Sequence, residues 1–215
     1  MLGIIRVLTT DNEEVLQEHG KKIEEKSFAK TVTHCIGSQP NGIFDDASER
    51  EAIPKIVELA KEMSRKYKLD AITISCAADP ALEETRAQVD LPILGAGVSG
   101  AHAAAMVGSK VGIVGITDEP PSRMKEELGQ RFFKHRFSSE LRKTTDLFND
   151  GAKEELLRIV KSLIDEGADV ILFACTGFST IRLKDYLTLH IKIPVIDLVE
   201  AQAIAYQLIG KEDSK

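Results

Sequence analysis

One phrase occurs twice in this chain. Residues 70–76 read DAITISC and residues 169–175 read DVILFAC: an Asp, five mostly apolar residues, then a Cys. Two further pairs flank this one in the same order. LGIIRVLTTD matches VGIVGITDEP with Gly3 and Gly112 aligned, and LPILG matches IPVID with Pro92 and Pro194 aligned. The offsets are 99 residues for the cysteines (positions 76 and 175), 109 for the glycines and 102 for the prolines. A repeat of that length is a duplicated lobe, not a solenoid unit. The 215 residues then divide at 1–97 and 98–215, and each half has the size of a small domain.

Within each half, short apolar runs alternate with amphipathic stretches. Strands are predicted at 2–8, 30–36, 70–76 and 91–95, and again at 110–116, 133–137, 169–175 and 193–197. A helix over 48–67 would put Ile53, Ile56, Val57 and Ala60 on one face, with Ser48 as its cap. A second, over 152–167, would bury Leu156, Ile159, Val160 and Leu163 and stop at Gly167. Continuously apolar strands alternating with helices demand a parallel sheet covered on both sides. The expected fold is therefore α/β: two pseudo-symmetric parallel-sheet lobes with helices on both faces and an active site in the cleft between them. The lobe's C-terminal helix, after LPILG, is expected to cross over.

The net charge of −6 argues against a nucleic-acid or anionic-membrane surface. No apolar run approaches the roughly 18 residues of a membrane span, and the N-terminal run is too short for a signal peptide. A cytoplasmic protein with a small-molecule partner is expected. Three cysteines, Cys35, Cys76 and Cys175, make no disulfide framework, and no Cys/His spacing suits zinc. The five histidines are scattered and read as surface or core residues.

The carboxyl end of a parallel strand faces the crevice where ligands bind. One cysteine there reads as core filler. Two, at equivalent ends of two lobes, would approach a shared cleft from opposite sides. Cys35 has no counterpart in the matching FKHRFSS and reads as a passenger. An enzyme that inverts a stereocentre needs a base on one face and an acid on the other, and a thiolate–thiol pair supplies both. Each cysteine precedes a predicted helix start, with Asp79 and Pro80 after the first and Thr176 and Ser179 after the second. Helix amino ends would lower the thiol pKa and hold substrate oxygens. Thr9, Thr10 and Thr117 close other strands, to bind substrate or to cap helices. Segment 38–46, SQPNGIFDD, reads as a plain surface loop rather than a cleft rim.

These segments resemble the aspartate/glutamate/hydantoin racemase superfamily over nearly the whole chain. SCAADPALEETR, LPILGAG and FACTGFSTI…IPVIDLVEA look most like its hydantoin racemase branch, whose first motif typically reads Cys-x-x-Asp-Pro-x-Leu. The resemblance implies two α/β lobes, cofactor-independent racemisation by Cys76 and Cys175, and a homo-oligomer. Substrate contacts would fall on Thr9, Thr10, Ala77, Ala78, Thr117, Thr176 and Gly177. No cofactor and no metal is implied. The branch's Asn-Pro-Asn-Thr is replaced by TTDNEE, where Thr10 and Thr9 stand in. The expected substrate is a 5-substituted hydantoin or a related amino-acid derivative. Aspartate or glutamate racemisation and maleate-type isomerisation are the alternatives within the superfamily.

Two rivals lie outside it. Gly95, Gly97 and Gly100 have the G-x-G-x-x-G spacing of a dinucleotide site, with Asp118 near the expected acid position. That outline suggests an NAD-dependent dehydrogenase. The second copy of the segment lacks the glycines, so they read instead as a tight turn bringing a helix amino end to the cleft. A two-lobed small-molecule binding protein would need the cleft but not the thiols.

Overall fold

The computed structural model describes residues 1–209; positions 210–215, at the end of the expected second lobe, lie outside the described residues. The first half runs β1 (Leu2–Arg6), α1 (Glu13–Ser27), β2 (Thr31–Cys35), α2 (Asp46–Lys66), β3 (Ala71–Ser75), α3 (Leu82–Arg86), β4 (Ile93–Gly95) and α4 (Ala96–Val107). The second runs β5 (Val111–Gly115), α5 (Ser122–Leu128), β6 (Phe132–Phe137), α6 (Ala152–Asp165), β7 (Val170–Phe173), α7 (Gly177–Thr180), α8 (Leu183–Thr188), β8 (Val195–Ile196) and α9 (Leu198–Leu208). The strands form two parallel sheets, ordered β2-β1-β3-β4 and β6-β5-β7-β8. The second order is the first advanced by four strands, as a duplication requires.

The inner strands β1, β3, β5 and β7 are buried at every position, which is why their sequences run apolar without alternation. The edge strand β6 is only partly buried, and its Lys134 and Arg136 reach Glu166. Charge on an edge strand discourages pairing with another chain.

Helix α2 starts two residues before the predicted boundary. Its cap is Asp45, whose carboxylate accepts the Ser48 N–H at 2.7 Å. The Ser48 hydroxyl accepts the Asp45 N–H in return, so Ser48 is the third helical residue of a capping box rather than the cap.

The helices after the last strand of each sheet are exchanged. Helix α4 packs on α5 and β7 and contributes Ala96, Ala101 and Ala104 to the second sheet's core. Helix α9 packs on α1 and brings Val199, Ala203 and Tyr206 to a core with Leu2, Ile4, Ile23 and Ala71. The two helices touch where they cross: a Cβ added at Gly100 would lie 2.2 Å from Leu198 Cδ2. Among the described residues, no helix is long and apolar enough to cross a membrane.

Candidate active site

Cys76 directly follows β3, and Cys175 follows β7 with Ala174 between. The equivalent strand positions in the two sheets bring the cysteines to the seam between the lobes. The seam is bonded at that level: the Thr176 hydroxyl donates to Ser75 O across it at 3.1 Å. The residue after one cysteine thus holds the residue before the other.

Neither thiol faces open solvent; Cys76 is 8% exposed and Cys175 7%. Thiols of lowered pKa at helix amino ends were expected from the sequence. Instead α3 begins six residues after Cys76, and α7 is a single turn of four residues. Burial pushes both thiols above their ordinary pKa. Turn N–H groups pull the other way, from Ala78 onto Cys76 and from Gly177 and Phe178 onto Cys175. The two environments differ beyond that. Cys175 also has a hydrogen bond from Thr144 and the positive charge of Arg6 nearby, which both favour its thiolate. Cys76 faces Asp79, Glu49 and the other thiol, which all disfavour it.

Asp79 caps a different helix from the one expected. Asp79 and Ala81 both adopt left-handed backbone, and α3 has no side-chain cap. The Asp79 carboxylate instead reaches the start of α4 and accepts the N–H groups of Gly97 at 2.8 Å and Val98 at 2.7 Å. This accounts for the glycines. A Cβ at Gly95 would lie 2.5 Å from Asp79 Oδ1, and one at Gly97 would lie 2.2 Å from Ala77 O. The anion position at this helix end is filled by the chain's own carboxylate, where a dinucleotide would need its pyrophosphate. Among the described residues, no three His, Cys, Asp or Glu side chains are gathered as a metal ion would require.

The threonine hydroxyls have local partners. Thr9 donates to Ile36 O and accepts the Gln39 N–H, Thr10 accepts the Asn12 N–H, and Thr117 donates to Glu119 O. Ala77, Thr176 and Gly177 are buried around the thiols, with Ala78 partly exposed. Segment 38–46 is not a plain surface loop. It meets the 3₁₀ turn Thr144–Phe148 of the other lobe across the mouth. Lys143 Nζ lies 5.3 Å from the Phe44 ring centroid, and a Cβ at Gly42 would lie 3.0 Å from Thr144 Oγ1. Leu147 and Thr144 in turn sit over Gly177, each 2.8 Å from where its Cβ would be. A cavity of about 580 Å³ opens along the seam between α1 and this turn, walled by Glu14, Glu18, Phe148 and Arg182; neither thiol lies on its wall.

Arg6, His19 and Thr144 also border the thiols or their neighbours, and none was expected there from the sequence. Arg6 was visible as the one charge inside a strand buried on both faces. His19 shares the buried side of α1 with Lys22, Ile23 and Ser27. Thr144 has no local signal, because only the fold brings it to Cys175.

Comparison with known proteins decides the family. The family model described as Asp/Glu/Hydantoin racemase matches residues 11–205. The chain belongs to that family. The curated relatives it matches are named racemases, which are isomerases. A hydantoin racemase from Pseudomonas sp. strain NS671 is 26% identical over 208 residues, covering 92% of this chain and 82% of that protein. One from Paenarthrobacter aurescens is 27% identical over 183 residues, covering 81% and 75%. In structure, an allantoin racemase from Klebsiella pneumoniae superposes with a TM-score of 0.81 at 21% identity, covering 97% of this chain and 86% of that one. A glutamate racemase from Bacillus anthracis follows at 0.72 and 16%, covering 97% and 80%. These racemases share the two-lobed α/β fold.

Proposed function

We propose that this racemase inverts the C5 stereocentre of a 5-substituted hydantoin, with Cys76 and Cys175 as its acid–base pair. The observation that carries this is the placement of one thiol after the equivalent strand of each sheet, with the two strand ends bonded across the seam. The curated relatives named for hydantoin support the substrate class. Allantoin, the substrate named for the structural neighbour, is itself a hydantoin with a ureido group at C5.

The C5 proton is acidic because its carbanion is an enolate of the adjacent carbonyl. A thiolate on one face takes that proton, and the thiol opposite returns one to the other face. No electrons are gained or lost. Arg6 and Thr144 favour the thiolate at Cys175, and the carboxylates beside Cys76 disfavour it there, so Cys175 is the better base of the two and Cys76 the better acid. The N–H groups of Ala78 and Gly177, now directed at sulfur, are placed to hold the enolate oxygen. The thiols titrate as a pair, so the two pKa values belong to the site rather than to either residue.

The test is deuterium exchange in D₂O, followed by NMR and optical rotation. Single enantiomers of allantoin and of 5-alkyl hydantoins are compared with aspartate and glutamate. Exchange at C5 with loss of rotation is expected, with Cys76→Ser and Cys175→Ser each abolishing racemisation. Exchange only with the amino acids would overturn the substrate. Racemisation undiminished in either Cys→Ser variant would overturn the two-thiol mechanism.

A further inference from the structure

His19 is fully buried on α1 and touches the neighbours of both cysteines. Its Nδ1 lies 2.8 Å from Ser75 Oγ, one residue before Cys76. Its Nε2 lies 3.1 Å from Thr176 O, one residue after Cys175, and 3.0 Å from Thr180 Oγ1.

The hydrogen-bond partners decide where its proton sits. Suppose Nε2 carries it. The Ser75 hydroxyl would then have one proton for two acceptors, His19 Nδ1 and Gln202 Oε1, the latter at 3.0 Å. Thr180 would receive N–H groups from both His19 and Arg6, leaving its own proton without an acceptor among these contacts. Suppose Nδ1 carries it. Every group then donates onward. Arg6 donates to Thr180, Thr180 to His19 Nε2, His19 Nδ1–H to Ser75, and Ser75 to Gln202. Gln202 Nε2 donates to Thr73 Oγ1 at 2.6 Å, and Thr73 to Leu94 O. Thr176 O gives up the Nε2–H donor and faces the bare Nε2 at 3.1 Å, the one contact this arrangement sacrifices, but it still accepts the Ser179 N–H at 3.1 Å. The charged groups facing the ring are both cations, Arg6 on β1 and Lys22 on α1, and burial with Arg6 holds the imidazole well below its ordinary pKa. A buried chain in which each member donates to the next is stiffer than its separate bonds.

We propose that His19, as the neutral Nδ1–H tautomer, is a positioning residue for both thiols, the turning point of a one-way hydrogen-bond chain that holds the ends of β3 and β7 in register. The proposal rests on Cys76 and Cys175 being the working pair. Its test uses no substrate, so a failure to racemise hydantoins leaves it standing or falling on its own.

Two measurements decide it. Long-range ¹H–¹⁵N correlation on uniformly labelled protein reads the tautomer directly. The expected result is protonated Nδ1, bare Nε2 and no titration between about pH 5 and 8. An Nε2–H ring, or one that titrates near its ordinary pKa, would overturn the proposal. The second measurement is iodoacetamide alkylation of Cys76 and Cys175, followed by peptide mapping in parent, His19→Leu and His19→Asn proteins. Leucine fills the space without a donor; asparagine restores an N–H close to the Nδ1 position. Both cysteines are expected to change rate together in His19→Leu by about tenfold, the equivalent of one buried hydrogen bond, and to recover in His19→Asn. A folded His19→Leu protein with unchanged rates, a change at one cysteine alone, or no recovery with Asn would overturn it. Should His19→Leu not fold, the tautomer measurement on the parent still decides.

Discussion

Asp79 does for α4 what Gly95, at the start of that helix, has no side chain to do. It takes two N–H groups into a nearly closed site, and burial pushes its carboxyl up to about 6 against their pull. The folded chain therefore holds this proton more tightly than the unfolded chain does. That contribution to stability is complete below the unfolded carboxyl pKa, near pH 4, and is lost as pH rises to about 6, worth about 3 kcal/mol. The difference in unfolding free energy between parent and Asp79→Asn, measured by urea titration, should change over that window and be flat above it. The glycines around this carboxylate make a second test. Gly97→Ala meets the backbone oxygen of Ala77 and should cost about 2 kcal/mol or more, although alanine is the better helix former. Gly100→Ala meets only side chains, the tips of Leu198 and Leu172, and should cost less. Denaturant midpoints of the two variants would show the order. The Asp-Pro after Cys76 was legible as a capping signal, but not which helix it caps. Left-handed backbone at Asp79 and Ala81 turns the carboxylate away from the helix that follows, and periodicity carries no trace of such a turn.

At the scale of elements, all eight strands were legible, the four inner ones because double-sided burial forces continuous apolar runs that polar helices cannot imitate. What the sequence hid is the seam, where polar side chains meet from segments far apart in the chain. Lys22 of α1 donates to Asp197 at 3.0 Å, and both are buried. Asp197 also caps α9 through the Val199 and Glu200 N–H groups and accepts the Ser179 hydroxyl. The two ends of this pair are unequal. With Lys22→Met the carboxylate keeps three donors, and a loss of about 1 kcal/mol is expected. With Asp197→Ala the ammonium is buried without its counter-ion and α9 loses its cap, for about 4 kcal/mol. Calorimetry on both variants would test that asymmetry. The loops over the mouth make a different prediction. Cys35 is half-buried at an edge strand, whereas Cys76 and Cys175 are buried, Cys175 beneath the Thr144–Phe148 turn. Alkylation timed by mass spectrometry should therefore label Cys35 first in the native protein, and all three alike once it is unfolded.

For the whole molecule, the deciding fact is that neither sheet is covered by its own half of the chain alone. Without α9 the residues Leu2, Ile4 and Ile23 lose Val199, Ala203 and Tyr206 from their core. Without α4 the second sheet loses Ala96, Ala101 and Ala104. A fragment of residues 1–109 should show no cooperative thermal transition by circular dichroism, and residues 110–215 should behave the same. Mixed at equal concentration, the two should recover one shared transition, because each supplies the helix the other lacks.

The exchange also bears on descent. A one-lobe ancestor built this way had no stable shape as a single copy; it stood only as two copies, each lending its last helix to its twin. Joining them required little, since α4 already ends beside the strand that begins the second sheet, and three residues, Gly108, Ser109 and Lys110, cover the gap. That short turn is where two formerly separate ends were sewn together. The fusion freed each thiol's surroundings to change without altering its twin's, so Arg6 could bring positive charge to one sulfur and carboxylates negative charge to the other.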